Sequence, residues 1–172
     1  MSAPVTVASG RVAYRMRADD ARLGATLALV HHSFAYMDGR IDPPSSVHRL
    51  DIVALRTLCD VGEVWCIGDR PDAVVVLTPR SDALYLGKLA VADSHRGRGF
   101  ARDLVELAGA RAATRGFAFL ELEVRIELVE NQTAFKRLGF EVVRETAHAG
   151  FDRPTSVTMR AAVPPSPTPR NG

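Results

Sequence analysis

The stretch that decides the fold runs from Leu84 to Ala101 and reads LYLGKLAVADSHRGRGFA. Its first half is apolar enough for a strand that ends at Val91, and its second half is a basic turn with two glycines. Beyond the turn, apolar residues recur at helical spacing, at Ala101, Leu104, Val105, Ala108 and Ala112. The stretch therefore predicts a strand, a glycine-rich turn and a helix in direct succession.

The turn, Arg96-Gly97-Arg98-Gly99, has the features of a pyrophosphate site. Gly97 and Gly99 permit positive φ and lack the Cβ atoms that would keep phosphate oxygens away from backbone N–H groups. The start of the following helix adds about half a positive charge, and the two arginines can add charge-assisted hydrogen bonds. A Walker loop is disfavoured because no Lys-Ser or Lys-Thr follows the glycines. A dinucleotide fingerprint is disfavoured because Arg102 stands at its third glycine position.

Residues 96–101 resemble motif A of the GNAT superfamily of N-acetyltransferases. That motif has an arginine or glutamine, then a glycine three residues on and a small residue two further on, here Arg96, Gly99 and Ala101. A second segment, residues 130–140, resembles motif B of the same family. The two segments occur in the family's order, and the resemblance covers roughly residues 10–162.

Apolar runs and turn residues predict strands at residues 11–17, 61–67, 73–77, 84–91, 117–124, 140–145 and 155–160. Helices are predicted after a cap at Asp19 or Asp20, after a cap at Ser45 or Ser46 through Leu58, from Ala101 to near Gly116, and over residues 133–138. This order is that of the GNAT fold, an α/β fold with a mixed, mostly antiparallel sheet whose fourth and fifth strands splay apart. We expect one domain at residues 10–163, a flexible N-terminus at 1–9 and a disordered Pro-rich tail at 164–172.

Composition narrows the class of protein. The 172 residues suit one domain, with 47% hydrophobic and 24% charged residues. A net charge of +2 gives no argument for nucleic acid. A secretion signal and a long apolar span are missing from the sequence, so we expect a cytoplasmic protein with no membrane contact. Cys59 and Cys66 form no CxxC pair and predict buried free thiols, with no metal site.

The resemblance implies a cofactor and its site. In the family, the pantetheine arm of acetyl-CoA enters the gap between the splayed strands and pairs with strand backbone, as an added strand does. Here Leu89, Ala90 and Val91 would face that arm. The pyrophosphate would lie on the turn, against Arg96, Gly97, Arg98, Gly99, Phe100 and Ala101. By the same resemblance, the backbone N–H of Leu89 is the catalytic oxyanion donor.

The family's general acid is absent from this sequence. A tyrosine of motif B protonates the leaving thiolate in many relatives, and Phe135 stands at its position. We expect Phe135 to form a wall for the pantetheine arm. Asn131 can hydrogen-bond the pantetheine or cap the short helix. Tyr85 stands where some relatives carry a catalytic glutamate, and it can relay a proton through water or only pack, which we expect.

Other polar residues suit either a solvated or a functional role. Glu63 and Glu123 alternate with apolar neighbours, so either can be an outward solvated residue or a carboxylate that helps remove the amine proton. His31 and His32 end the first helix, where surface roles are expected. The acceptor walls are expected at residues 34–46 and 148–155. In the first of these, Asp38, Arg40 and Asp42 are charged, and carboxylates there would suit a cationic amine.

The sequence supports an acetyl-CoA-dependent N-acetyltransferase that acts on a primary amine of a small molecule or protein by direct attack in a ternary complex. Such a protein is compatible with a homodimer. The alternative is a non-catalytic acyl-CoA-binding module that acts as a sensor or in an assembly, which the missing tyrosine favours. A third interpretation is a binder of another nucleotide that shares only the glycine turn.

Overall fold

One sheet organises residues 3–165, the part of the chain that the computed structural model describes. Its strands follow the order β1-β2-β3-β4-β5-β6-β8-β7. They are β1 (Val5–Thr6), β2 (Val12–Met16), β3 (Glu63–Ile67), β4 (Ala73–Arg80), β5 (Ala83–Val91), β6 (Phe119–Arg125), β7 (Glu141–Thr146) and β8 (Ser156–Ala162). The helices are α1 (Leu23–Phe34), α2 (Ile52–Val61), α3 (Phe100–Thr114) and α4 (Val129–Arg137), with 3-10 turns at Ala35–Met37, Ser46–Arg49 and Asp93–His95.

The pairing of β5 with β6 differs from every other pairing in this sheet. It is parallel and covers only residues 83–85 of β5 against 119–121 of β6. All other neighbouring strands are antiparallel, and β6 remains paired with β8 as far as Arg125. Beyond Tyr85 the two strands diverge. The predicted fold class is confirmed. The predicted fourth and fifth strands are β5 and β6 of the structure, and they splay apart as expected.

The central strands are buried on both faces. Along β3, Val64 and Cys66 pack with residues of α1 and α2, whereas Trp65 and Ile67 pack with residues of α3. The continuous apolar runs of β3 and β4 follow from this arrangement, because a strand covered by helices on both sides has no solvated face. Both cysteines are buried free thiols, as predicted.

The second predicted helix is two separate elements. The Ser45 hydroxyl accepts a hydrogen bond from the Val47 N–H, 3.2 Å away, and caps only the 3-10 turn Ser46–Arg49. Leu50 is then extended, and the Asp51 carboxylate caps α2 by accepting from the Ala54 N–H at 2.8 Å. Ser45 and Asp51 each cap an element of their own, so the predicted helix is interrupted between them. The spacing of apolar residues alone did not reveal this break.

Other boundaries also differ from the prediction. The first helix has Arg22 at its N-cap, because the Asp20 carboxylate accepts hydrogen bonds from the backbone and side chain of Arg22. The short helix α4 begins at Val129, four residues before the predicted start. Val5–Thr6, within the segment predicted to be flexible, pairs with β2. The predicted tail lies outside the described residues from position 166 onward.

Candidate active site

A cavity of about 1160 Å³ opens where β5 and β6 diverge. Its walls come from α1 and the segment after it, from β5, from the turn before α3, and from β6 and α4. It brings together most of the predicted site residues, namely Tyr85, Leu89, Ala90, Val91, Arg96, Gly97, Gly99, Phe100, Ala101, Asn131 and Phe135. Arg98 lies in the same turn but does not line the cavity.

The turn before α3 leaves its backbone open to the cavity. Gly97 has φ +72° and Gly99 has φ +84°, so both occupy the left-handed region that favours glycine. Gly99 is the N-cap of α3, and no side chain caps the helix there. A Cβ atom at Gly97 would meet no other atom within 4 Å. The first N–H groups of α3 are therefore free to meet an anion in open space.

Arg11 contacts this turn and the start of α3 without lining the cavity. One guanidinium nitrogen lies 2.6 Å from the buried Asp103 carboxylate in the first turn of α3. Another donates to the Arg98 carbonyl at 2.8 Å, and the guanidinium stacks 4.0 Å above the Phe100 ring. From the sequence, Arg11 was predicted only as the first residue of a strand. The one available signal was Asp103, an acid among the apolar residues of α3.

The other end of the cavity contains an irregularity in β5. Val74 pairs with Ala90 and Val76 pairs with Gly87, so Lys88 and Leu89 together lie opposite Val75. This extra residue is a β-bulge, and Lys88 has φ +53°. Leu89 has no register partner on β4, and β6 has already diverged at this level. The bulge thus removes Leu89 from regular pairing at the position predicted for the oxyanion donor.

Tyr85 is the last residue of β5 that pairs with β6, and its ring stacks with Arg80. The Arg80 guanidinium lies 3.5 Å above the Tyr85 ring and 3.4 Å from the Glu123 carboxylate. Burial raises the pKa of the Tyr85 phenol, and the charge of Glu123 raises that pKa further. A phenol in this state keeps its proton at neutral pH, which disfavours a role as a base.

Glu63 is neither a solvated residue nor a base candidate. Its side chain is only 2% exposed and does not line the cavity. It accepts hydrogen bonds from Trp65 at 2.7 Å, Arg111 at 2.8 and 2.9 Å and Arg115 at 3.2 Å. Burial alone would raise the pKa of the Glu63 carboxyl, but the hydrogen bonds from Arg111 and Trp65 outweigh it and lower the pKa to about 2. Two of these partners, Arg111 and Arg115, come from a distant segment, so alternation along the strand could not reveal this assignment.

Helix α4 supplies one wall of the cavity. Asn131 is the third residue of α4 rather than its cap, and its amide donates to the Tyr36 hydroxyl at 2.8 Å. The capping alternative is therefore wrong. Phe135 lines the cavity and packs edge-to-face on Phe140, with ring centroids 5.8 Å apart.

The first predicted acceptor wall contributes mainly positive charge. Arg40 lines the cavity, whereas Asp38 lies 2.7 Å from His48 and Asp42 lies 3.4 Å from Arg153, both outside the lining. His31 and His32 also lie outside it: they contact the Leu50 carbonyl and the Asp93 carboxylate. The expected carboxylates for a cationic amine are not in the cavity wall.

Among residues 3–165, no group of three or more histidine, cysteine or acidic side chains is placed to hold a metal ion. None of the helices in that range is long and apolar enough to cross a membrane.

The family of this chain follows from its sequence match. The model of the acetyltransferase (GNAT) family matches residues 34–140, more than half of the chain. The chain belongs to that family. The match includes β5, the turn, α3, β6 and α4, which are the GNAT elements that surround most of the cavity.

Solved structures share the GNAT fold with this chain. An acetyltransferase from Streptococcus agalactiae 2603 has 14% identity and a TM-score of 0.68, with 87% of this chain and 96% of the other covered. The ribosomal-protein-S18-alanine N-acetyltransferase from Escherichia coli has 17% identity and a TM-score of 0.63, covering 93% and 98%. The NatC complex bound to Gag peptide and CoA has 16% identity and a TM-score of 0.62, covering 89% and 98%. None of the curated proteins matches the sequence.

Proposed function

We propose that this protein transfers the acetyl group of acetyl-CoA to a primary amine, by direct attack in a ternary complex. The observation that carries the proposal is a single cavity that joins an uncapped helix start to the bulge of β5, on the strand edge that β6 leaves open. The first feature suits a pyrophosphate and the second suits a thioester. Family membership supports a CoA-derived substrate, and one of the similar structures was solved with CoA.

The residues of the cavity fit acetyl-CoA. The N–H groups at Gly97, Gly99 and the start of α3 would hold the pyrophosphate, with Arg96 beside them. The open ladder groups of residues 89–91 would pair with the pantetheine amides, because β6 leaves that edge of β5 uncovered. The apolar ring of Phe135 would flank the arm.

Little proton chemistry by side chains is required. Holding two reactants in place can contribute on the order of 7 to 11 kcal/mol. The Leu89 N–H would donate to the thioester oxygen as negative charge develops there, a contribution of about 3 to 4 kcal/mol. The amine nitrogen bonds to the acetyl carbon, the carbon–sulfur bond breaks, and CoA leaves as a thiolate. The amine proton passes to water, and the cavity-lining Glu123 is the carboxylate proposed to accept it.

A thiol-release assay over a panel of amines tests the proposal. We expect release of CoA that depends on both acetyl-CoA and an amine. Acyl-CoA binding without turnover on any amine would instead favour the non-catalytic module, which the phenylalanine at position 135 also suits. Binding of ATP or NAD with no binding of CoA would contradict both. The cytoplasmic location and the homodimer stay predictions.

A further inference from the structure

The cavity has a strong excess of positive charge away from the phosphate turn. Six cationic side chains line it, Arg40, Arg49, Arg80, Lys88, Arg96 and Arg125, against two carboxylates. Both carboxylates already have an arginine partner: Glu123 lies 3.4 Å from Arg80, and Glu130 lies 2.6 Å from Arg40. Arg96 belongs to the phosphate turn and is paired with Asp93. Three cations remain to be explained.

Two of these three, Lys88 and Arg49, meet at one element, because Lys88 contacts the 3-10 turn Ser46–Arg49 that carries Arg49. The Lys88 ammonium donates to the Ser46 hydroxyl at 2.8 Å. Burial lowers the pKa of this ammonium, and the nearby Arg49 guanidinium lowers it further. In the described part of the chain neither cation has an acidic side chain within 4.0 Å. Two like charges on one cavity wall without a counterion repel each other, and a bound anion would relieve that repulsion.

The third cation, Arg125, contacts the same short segment from β6. One guanidinium nitrogen donates to the Pro44 carbonyl at 3.0 Å, two residues before Ser46. Its other terminal nitrogen is buried and has no hydrogen-bond partner in the described structure. That nitrogen has no accessible surface, but Arg125 lines the cavity, so its guanidinium adds a positive charge to the wall beside Pro44 and Ser46.

We propose that the acceptor amine carries an anionic group, a carboxylate or a phosphate, which binds between Lys88, Arg49 and Arg125. This assignment rests on the proposed acetyl transfer and names its substrate class. Lys88 immediately precedes Leu89, the proposed oxyanion donor, so the anionic group and the reacting amine must be only a few bonds apart. The same cations favour the neutral form of an amine beside them, which is the form that attacks.

These cations stand apart from the pyrophosphate site. The anion site of CoA is the turn at residues 96–101, whereas Ser46 and Pro44 belong to the segment between α1 and α2. Because Lys88 and Arg125 both donate to this segment, it holds their head groups on the predicted acceptor side of the cavity. An anionic acceptor would supply the counterion that Lys88 and Arg49 lack.

Matched probes test the proposal without requiring turnover. Calorimetry on the CoA-loaded protein compares N-acetylglycine and N-acetyl-β-alanine with their uncharged amides, and N-acetylphosphoethanolamine with N-acetylethanolamine. We expect at least one acidic probe to bind at least tenfold more tightly than its neutral match, because a charge-assisted hydrogen bond is lost with the charge. The carboxylate and phosphate pairs also distinguish the two sources of negative charge. Equal binding within every pair, including no binding, would overturn the proposal.

Variants assign the effect to the cations. Lys88→Met and Arg49→Met should each reduce the preference for the acidic probe to less than threefold, and Lys88→Arg should restore most of it. Arg56→Met is the matched control, because Arg56 is an exposed cation on α2 outside the cavity lining. It should keep the full preference.

CoA affinity separates this proposal from the proposed function. Wild type and the Met variants should bind CoA equally, and a matching loss of CoA affinity in Lys88→Met would place these cations in the CoA site and overturn the inference. Failure of the proposed function would appear differently, as CoA binding without release of thiol on any amine. The acidic-probe preference can still be measured in that case.

Discussion

Gly99 meets two requirements that only glycine satisfies together. Its φ of +84° is strained for other residues, and its missing Cβ leaves room for phosphate oxygens at the start of α3. We expect Gly99→Val to weaken CoA binding at least tenfold, measured by calorimetry. Because of the positive φ, the same change should also lower the free energy of unfolding by about 2 kcal/mol.

Gly116 provides the matched control for backbone strain. It has φ +77° and lies outside the cavity lining, and a Cβ atom at this position would meet no other atom within 4 Å. Gly116→Val should therefore lose similar stability while keeping wild-type affinity for CoA. If Gly99→Val binds CoA as tightly as Gly116→Val and the wild type, the turn is not part of the CoA-binding site.

The Tyr85 hydroxyl tests whether proton transfer needs a side chain on β5. Arg80 covers the ring, and the raised pKa of the phenol keeps it protonated, so we expect a packing role. Tyr85→Phe should reduce turnover by less than about tenfold, since a general acid or base contributes roughly a hundredfold to ten-thousandfold. Steady-state kinetics with saturating acetyl-CoA measure this effect.

Tyr14→Phe is the control for loss of a hydroxyl, because Tyr14 lies on β2 outside the cavity lining. A decrease in turnover of a hundredfold or more in Tyr85→Phe, with Tyr14→Phe unchanged, would make Tyr85 the replacement for the tyrosine that motif B lacks.

At the scale of elements, Glu63 links β3 to α3 through Arg111 and Arg115. Its pKa of about 2 lies below the unfolded value of about 4.5. The stabilisation is therefore fully present above pH 5 and is lost as pH falls through 4 toward 2, because the unfolded state binds the proton first. Over that range the wild type should lose about 3 kcal/mol of unfolding free energy through this group.

The measurement is denaturant unfolding between pH 7 and pH 2. Glu63→Gln should be less stable than wild type at pH 7, since Arg111 and Arg115 lose a buried partner, and the gap should narrow at low pH. Glu106→Gln changes an exposed residue of α3, the helix that carries Arg111, and should keep the wild-type dependence of stability on pH. A gap between wild type and Glu63→Gln that stays constant with pH would contradict the assignment.

Local sequence signals predicted the elements better than their ends. The succession of β5, turn and α3 was readable because strand apolarity, two glycines and helical spacing all lie within one segment. The break between Ser46–Arg49 and α2 was not, because the choice between two capping residues depends on how Leu50 packs in the core. The splay of β5 from β6 came from the family resemblance.

The site divides in the same way. Residues of the turn were predicted because their chemistry is local, and the structure brings all of them except Arg98 to the same cavity as Leu89 and Phe135. Arg11 and Lys88 were missed as site residues because their partners, Asp103 and Ser46, are distant in sequence. The role of a charged residue on a strand depends on the residues that it contacts, and these are known only once the fold is known.

At the scale of the whole molecule, acetyl-CoA should stabilise the fold. A ligand that binds only the native state adds about 2.7 kcal/mol at a hundredfold excess over its dissociation constant. We expect a rise in melting temperature with acetyl-CoA and with CoA in thermal unfolding. The elements that would bind the ligand lie on both sides of the cavity, so the whole domain should respond.

ATP and NAD serve as the comparison ligands in the same experiment. They carry phosphates that can meet the turn, but they lack the pantetheine arm that would pair with β5. A rise with either nucleotide and none with CoA would contradict the proposed ligand.

The three-residue seam between β5 and β6 divides the backbone hydrogen bonding of the sheet into two blocks, which share one hydrophobic core. One block contains β1 to β5 with α1 and α2, and the other contains β6 to β8 with α4, while α3 packs across both. In the proposed complex, a pantetheine arm in the gap would add hydrogen bonds along the edge of β5 that β6 leaves uncovered. Binding of acetyl-CoA should then slow amide hydrogen exchange along residues 86–91.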